Sequence, residues 1–264
     1  MSLVAVQTEQ VSDSLRSSYT SFDSESLSKI NNDNINIAIW QRKHDAALEQ
    51  AAEEILRENP DLNISMVPQP HDVRDLLLTD LGSAPTTLSL IEDISFIVGM
   101  FCELFDLKRA WVRLDAINKP MCPRFHADKV KCRLVTTYIG PSTQWLPHDL
   151  VDRSKLGHGN NGQPDEKSGL FTNKTDIEQL DTGDIALLKG ESWDGNDGAG
   201  LVHRSPHSKS DYRRLYMTID FEELYLNIYK NNKRFISCLL YTSPSHETPE
   251  HLVFRRVVGK KKGG

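Results

Sequence analysis

The chain has 264 residues, 38% hydrophobic and 26% charged, with a formal net charge of −6 at neutral pH. That length encloses a core without covalent staples, and four cysteines are too few for a disulfide scaffold, so a reducing compartment is expected. The longest apolar run, Ile94 to Cys102, is broken by Ser95 and Gly99 and falls far short of the ~20 residues that span a bilayer.

The start of the chain lacks a basic-then-apolar signal pattern and carries Glu9, Asp13, Asp23 and Glu25, which argues against a transit peptide; a cytoplasmic location is expected. Charge is uneven along the chain. From Cys238 onward it is +3, and residues 1–237 carry −9, an acidic body that disfavours nucleic acid as a dedicated partner. The stretch 238–264 shows no helical or strand period. Its opening, CLLYTSPS, resembles the translation of a transposase-type sequencing adapter, and a native basic tail is the alternative. No function is drawn from it.

In chain order, residues 1–34 are rich in Ser, Asp and Asn and are expected to be disordered. Ile35 to Trp40 alternates as a strand does. Ala46 to Arg57 has helical apolar spacing and is stopped by Asn59-Pro60, and Thr86 to Phe105 reads as a second helix capped by Thr86 or Thr87. After Asp106 short strands follow: 111–115, 124–129, 133–139, 184–189, 201–204 and 214–221. A long polar loop covers 141–176, and a Gly/Asp-rich one covers 190–200. Short strands with unequal Gly/Pro-rich loops after a helical start predict an α+β fold. Its core would be a double-stranded β-helix of jelly-roll or cupin-like type, with N-terminal helices packed on the sheet, in one domain over 35–237.

His126-Ala127-Asp128 places an imidazole and a carboxylate two residues apart, on one face of an extended strand. His203 follows 77 residues later, after the Gly-rich loop. Two imidazoles and one carboxylate form a facial triad with open positions, which favours non-haem Fe(II). Arg214 opens the strand RLYMTIDF eleven residues after His203, and its guanidinium can fork onto a carboxylate. Arg213 competes for that role, since neighbouring strand residues face opposite ways. Cys122 and Cys132 flank the motif and leave Zn²⁺ as an alternative metal, against the simpler reading of small buried side chains.

From Arg109 to Phe221 the chain resembles the Fe(II)/2-oxoglutarate-dependent dioxygenases, especially the prolyl-hydroxylase-like branch. Phe125 to Asp128 looks like the first metal motif, Arg133 to Tyr138 the strand after it, His203 the distal ligand and Arg214 the co-substrate clamp. CPRFHADKVKCRLVTTYIGP, GDIALLKGESW and GLVHRSPHSKSDYRRLYMTIDF look like the core of the family named domain of unknown function 1826. The resemblance implies an oxygenase with Fe(II) at His126, Asp128 and His203 and 2-oxoglutarate at Arg214. The loops 141–176 and 190–200 would rim the site for a small-molecule or peptide substrate. A non-catalytic metal-binding jelly roll, for metal handling or sensing, is the rival reading.

Overall fold

The structure is a computed structural model and describes residues 15–207 and 213–230; the expected tail at 238–264 and the first fourteen residues lie outside it. Among the described residues, two sheets and five α-helices make a mixed α/β architecture. The chain enters through β1 (Ser17–Ser21), a 3-10 turn over Ser24–Asn31, and β2 (Ile35–Trp40), which pairs with β1 in parallel. The disorder expected through residue 34 is therefore corrected from residue 15 onward. Composition misled because the segment buries little, yet Leu27 and Ile30 are 2% and 0% exposed, and these two anchors order it.

Helix α1 (Ala46–Glu58) starts where the Asp45 carboxylate accepts the Leu48 amide at 2.7 Å, and it buries Leu48, Ala51, Ala52, Ile55 and Leu56. Strand β3 (Asn63–Met66) and helix α2 (Val73–Leu81) follow, both unread in the sequence. Helix α3 (Pro85–Leu104) begins on Pro85 at its first position rather than on a threonine cap, since proline gives up only an amide already without a partner. Next come β4 (Ala110–Ile117), the two-residue β5 (His126–Ala127) and β6 (Cys132–Ile139). The region read as one loop contains β7 (Gln144–Leu146), the short α4 (Asp165–Ser168) and, just after it, β8 (Glu178–Gln179). Strands β9 (Ile185–Lys189), β10 (Val202–Arg204) and β11 (Arg214–Phe221) and helix α5 (Glu222–Lys230) complete the fold.

The large sheet runs β1-β2-β9-β6-β11-β4-β3 and the small one β5-β10-β7-β8. Alternation along β6, β9 and β11 divides their side chains between two layers. Leu134, Tyr138, Ile185, Leu187, Leu215, Met217 and Ile219 share one buried cluster with residues of α1 and α3. Ile37, Ile39, Val135, Ala186 and Leu188 point the other way and pack with Trp145 of β7. The large sheet thus has helices on one face and the small sheet on the other, and the polar side chains between the sheets form the site.

Candidate metal centre

Antiparallel pairing of β5 with β10 sets His126 directly opposite His203, with ring centroids 4.6 Å apart. Asp128, two residues beyond His126, returns to the same face. Its Oδ1 lies 3.4 Å from His126 Nε2, and its Oδ2 lies 3.8 Å from His203 Nε2. One ligand atom from each of the three residues lies within 4.8 Å of the others, and among the described residues this is the only such group of His, Cys, Asp and Glu.

Each imidazole is oriented from behind. His126 Nδ1 is 2.8 Å from the Arg124 carbonyl and His203 Nδ1 is 3.2 Å from the Leu201 carbonyl, so each Nδ1 donates and each Nε2 turns a lone pair into the cluster. Burial pushes the His203 imidazole down to about 4 despite the pull of Asp128, which keeps it neutral at pH 7. Burial is the largest single influence on the Asp128 carboxyl and would raise it, but the Arg133 guanidinium together with His203 and His126 outweighs burial and holds the group well below the usual carboxylate range. Asp128 Oδ1 is buried without a hydrogen-bond partner. Two nitrogen lone pairs and a buried anionic oxygen with no proton donor make a donor set that a divalent cation completes.

Behind these three side chains stands an ion-pair chain that no spacing in the sequence reveals. Arg133 on β6 donates through Nη1 to Asp128 Oδ2 and through Nε to Asp220 Oδ1 at 2.8 Å. Arg113 on β4 holds the other Asp220 oxygen at 2.9 Å and stacks on Trp111, 4.4 Å from the ring centroid. The available signal was parity: Arg133 and Asp220 both occupy strand positions facing away from the helix-side core.

A close backbone approach fixes the turn that carries Asp128. The amides of Gly190, Glu191 and Ser192 donate to the carbonyls of Lys131, Asp128 and Val130 at 2.8–3.0 Å. A Cβ on Gly190 would meet the Val130 carbonyl oxygen at 2.1 Å, so only glycine permits this contact.

Arg214 is 1% exposed and lies between the sheets, where it donates to the hydroxyls of Thr137 at 2.8 Å and Thr143 at 3.1 Å. Its guanidinium stacks 3.8 Å from the Tyr216 ring centroid. No acidic side chain among the described residues pairs with it. Arg213 turns the opposite way and donates to the Leu56 carbonyl at the end of α1, 2.7 Å away.

Cys122 and Cys132 are not in the ligand cluster. Cys132 faces the helix-side core, where burial pushes its thiol far above the ordinary range, so it offers no thiolate to a zinc ion beside Asp128. The long loop is corrected as well. Val151, Leu156, Leu170, Phe171 and Ile177 pack on Phe125, Leu146 and Val202, which project from the small sheet away from the histidines. Asp165 and Glu166 hold Arg204, at 3.4 and 2.9 Å, on that same outer side. This part of the loop backs the strands that carry His126 and His203 rather than rimming the cluster.

No helix among the described residues is long and apolar enough to cross a membrane. Several solved structures follow a similar chain path. The rice dioxygenase for auxin oxidation is 10% identical with a TM-score of 0.47, over 78% of this chain and 82% of that one. A prolyl-4-hydroxylase from Pseudomonas putida is 10% identical with a TM-score of 0.40, over 74% and 96%. HygX from Streptomyces hygroscopicus, solved with nickel and 2-oxoglutarate bound, is 11% identical with a TM-score of 0.40, over 75% and 86%. No curated protein matches the chain. The family model described as "Protein of unknown function (DUF1826)" matches residues 21–220, about three quarters of the sequence, and the chain belongs to that family.

Proposed function

We propose that this protein is a non-haem Fe(II)- and 2-oxoglutarate-dependent oxygenase, built on a double-stranded β-helix, that hydroxylates a substrate still to be identified. His126 Nε2, His203 Nε2 and one oxygen of Asp128 would hold the iron. The observation that carries the reading beyond simple metal binding is Arg214, a buried guanidinium whose polar partners are two threonine hydroxyls. Burying a cation without a counter-charge costs several kcal/mol. The distal carboxylate of 2-oxoglutarate supplies that charge, and Thr137 and Thr143 orient the guanidinium to receive it. Iron so held would supply the site where dioxygen and the 2-oxo acid react, one oxygen atom passing to the acid as it loses CO2 and the other to the substrate's C–H bond. The protein's own share is to hold both imidazoles in the Nδ1–H tautomer, to keep His203 neutral, and to exclude water through the packing of Trp145 between the sheets.

The test is an anaerobic titration of the absorbance that appears when a 2-oxo acid chelates protein-bound Fe(II). Arg214→Lys keeps the charge and loses the fork, so 2-oxoglutarate affinity should fall about 10- to 150-fold, the worth of about 1.5–3 kcal/mol of charge-assisted hydrogen bonding. Arg213→Lys should change little. His126→Ala or His203→Ala should lower iron affinity at least ~10-fold. If the wild-type protein binds iron and shows no chelate band at any 2-oxoglutarate concentration, the oxygenase reading fails and a metal-binding protein remains.

A further inference from the structure

We infer that Arg133 is a positioning residue that makes Asp128 a one-oxygen ligand and thereby keeps a coordination position of the metal open. The inference rests on the metal site proposed above, but not on any particular substrate.

The two carboxylate oxygens of Asp128 are not equivalent. Oδ2 accepts from Arg133 Nη1, whereas Oδ1, 3.4 Å from His126 Nε2, is buried with no donor. A carboxylate facing a divalent cation can bind through one oxygen or two. In a six-coordinate ion, two imidazoles and one carboxylate oxygen leave three positions, which a two-atom chelator and a third small ligand fill. A second oxygen from Asp128 would consume one of them. Engagement of Oδ2 by a charge-assisted hydrogen bond opposes that outcome, because the metal would have to share with a guanidinium cation an oxygen whose electron density that cation already draws on.

The arginine is itself unable to swing aside. Its Nε donates to Asp220 at 2.8 Å, and Asp220, 0% exposed, is gripped at its other oxygen by Arg113 at 2.9 Å. Register places these groups in a row: Asp220 lies opposite Trp111 of β4, and Arg113 lies opposite Thr218, the next inward-facing residue of β11. One guanidinium therefore bridges two buried carboxylates, Asp220 on β11 and Asp128 in the turn that follows β5. Lysine carries the charge but cannot bridge in two directions with fixed geometry.

The experiment compares wild type, Arg133→Gln, Arg133→Lys and Asp220→Asn, each loaded with Co(II) without oxygen. Three quantities are read: Co(II) affinity, the Co(II) visible spectrum, and the affinity of the Co(II)-loaded protein for 2-oxoglutarate. Arg133→Gln should bind Co(II) at least as tightly as wild type, because a competing cation has gone and a second oxygen is freed. Its spectrum should change, and 2-oxoglutarate binding should weaken about 10- to 100-fold. Arg133→Lys should fall between the two. Asp220→Asn leaves Asp128 and Arg133 in place but loosens the anchor, and it should shift spectrum and 2-oxoglutarate affinity in the same direction by a smaller factor, which covers the case in which Arg133→Gln does not fold.

Wild-type-like spectra and 2-oxoglutarate affinity in the folded variants overturn the positioning role while leaving the oxygenase reading intact. Parallel loss of Co(II) and 2-oxoglutarate binding overturns it too, because a merely structural arginine does that. If wild type itself takes up Co(II) but no 2-oxoglutarate, the oxygenase reading falls and this role with it.

Discussion

Buried charges in this protein are of two kinds, and the difference is visible residue by residue. Arg133 is compensated twice, by Asp128 and Asp220. Arg214 and Lys189 are each 1% exposed and pair with no carboxylate among the described residues. Lys189 closes β9 on the helix side, donates to the Asn32 carbonyl at 2.8 Å and lies 4.8 Å from the Trp193 ring centroid. Burial pushes its ammonium down to about 8. The unfolded chain, with a lysine of ordinary affinity near 10.4, then binds more protons than the fold between pH ~8 and ~10.4, so this residue makes stability rise with pH across that window and costs most below it. Lys189→Met keeps the length of the side chain and removes the cost, against the loss of one hydrogen bond. Urea denaturation should show the variant about 1–2 kcal/mol more stable than wild type at pH 7. The gap should close by pH 10, and a gap that does not vary with pH would mean that the ammonium is not penalised by burial.

At the scale of elements, the site is made by the shortest ones. Strand β5 has two residues and β10 three, and neither would persist alone. Their registry is set from outside: β7 pairs with β10, the segment 147–177 packs on the outer face of the small sheet, and Arg204 stacks 4.3 Å from the Phe125 ring centroid while held by Glu166. From the other side, the Gly190 turn is hydrogen-bonded to the backbone around Asp128. Gly190→Ala should therefore disturb ligand geometry without touching a ligand. The added methyl meets the Val130 carbonyl oxygen at 2.1 Å, which is backbone and cannot yield cheaply. Thermal or urea denaturation should record a loss of about 1–3 kcal/mol, with metal affinity falling about 10-fold. Gly99, inside α3, is the contrasting case: nothing lies within 4 Å of an added Cβ, so Gly99→Ala should stabilise by about 0.5–1 kcal/mol and leave metal binding alone. Equal behaviour of the two variants would contradict the close-approach account.

On the scale of the whole molecule, the three proposed metal ligands come from parts of the chain that meet only when the small sheet is assembled. His126 and Asp128 lie on one side of the large-sheet strands β6 and β9 in sequence, and His203 on the other. An unfolded chain presents no such cluster, so under the proposed assignment metal binding is linked to folding. At a free metal concentration 100 times the dissociation constant, this linkage is worth about 2.7 kcal/mol. For a chain of this size each kcal/mol raises the melting temperature by about 2–4 °C. Calorimetry should therefore place Co(II)-saturated protein about 5–10 °C above protein held in chelator, with the increment absent in His203→Ala. Superimposed transitions with and without metal would show that the three side chains do not act as a metal site.

Local pattern determined a large share of this protein. The strand periods at β2, β6, β9 and β11 and the helix period of α1 and α3 are short-range features, each decided by which face of one element must be buried; the H-x-D pair is equally local, whereas His203, 77 residues on, was tied to it only by its place after the Gly-rich loop and by the family resemblance. The segment at 17–31 was beyond reach because two apolar anchors in a polar stretch give no period. Only the tertiary structure decided which of Arg213 and Arg214 lies between the sheets, because a one-residue shift in register exchanges the faces of a strand. It also decided that Cys132 points into the helix-side core and that residues 147–177 back the small sheet. The chain Asp128–Arg133–Asp220–Arg113 belongs to the same class: its members stand on three strands and the turn between β5 and β6, and no spacing in the sequence announces an ion pair whose partners lie 87 residues apart.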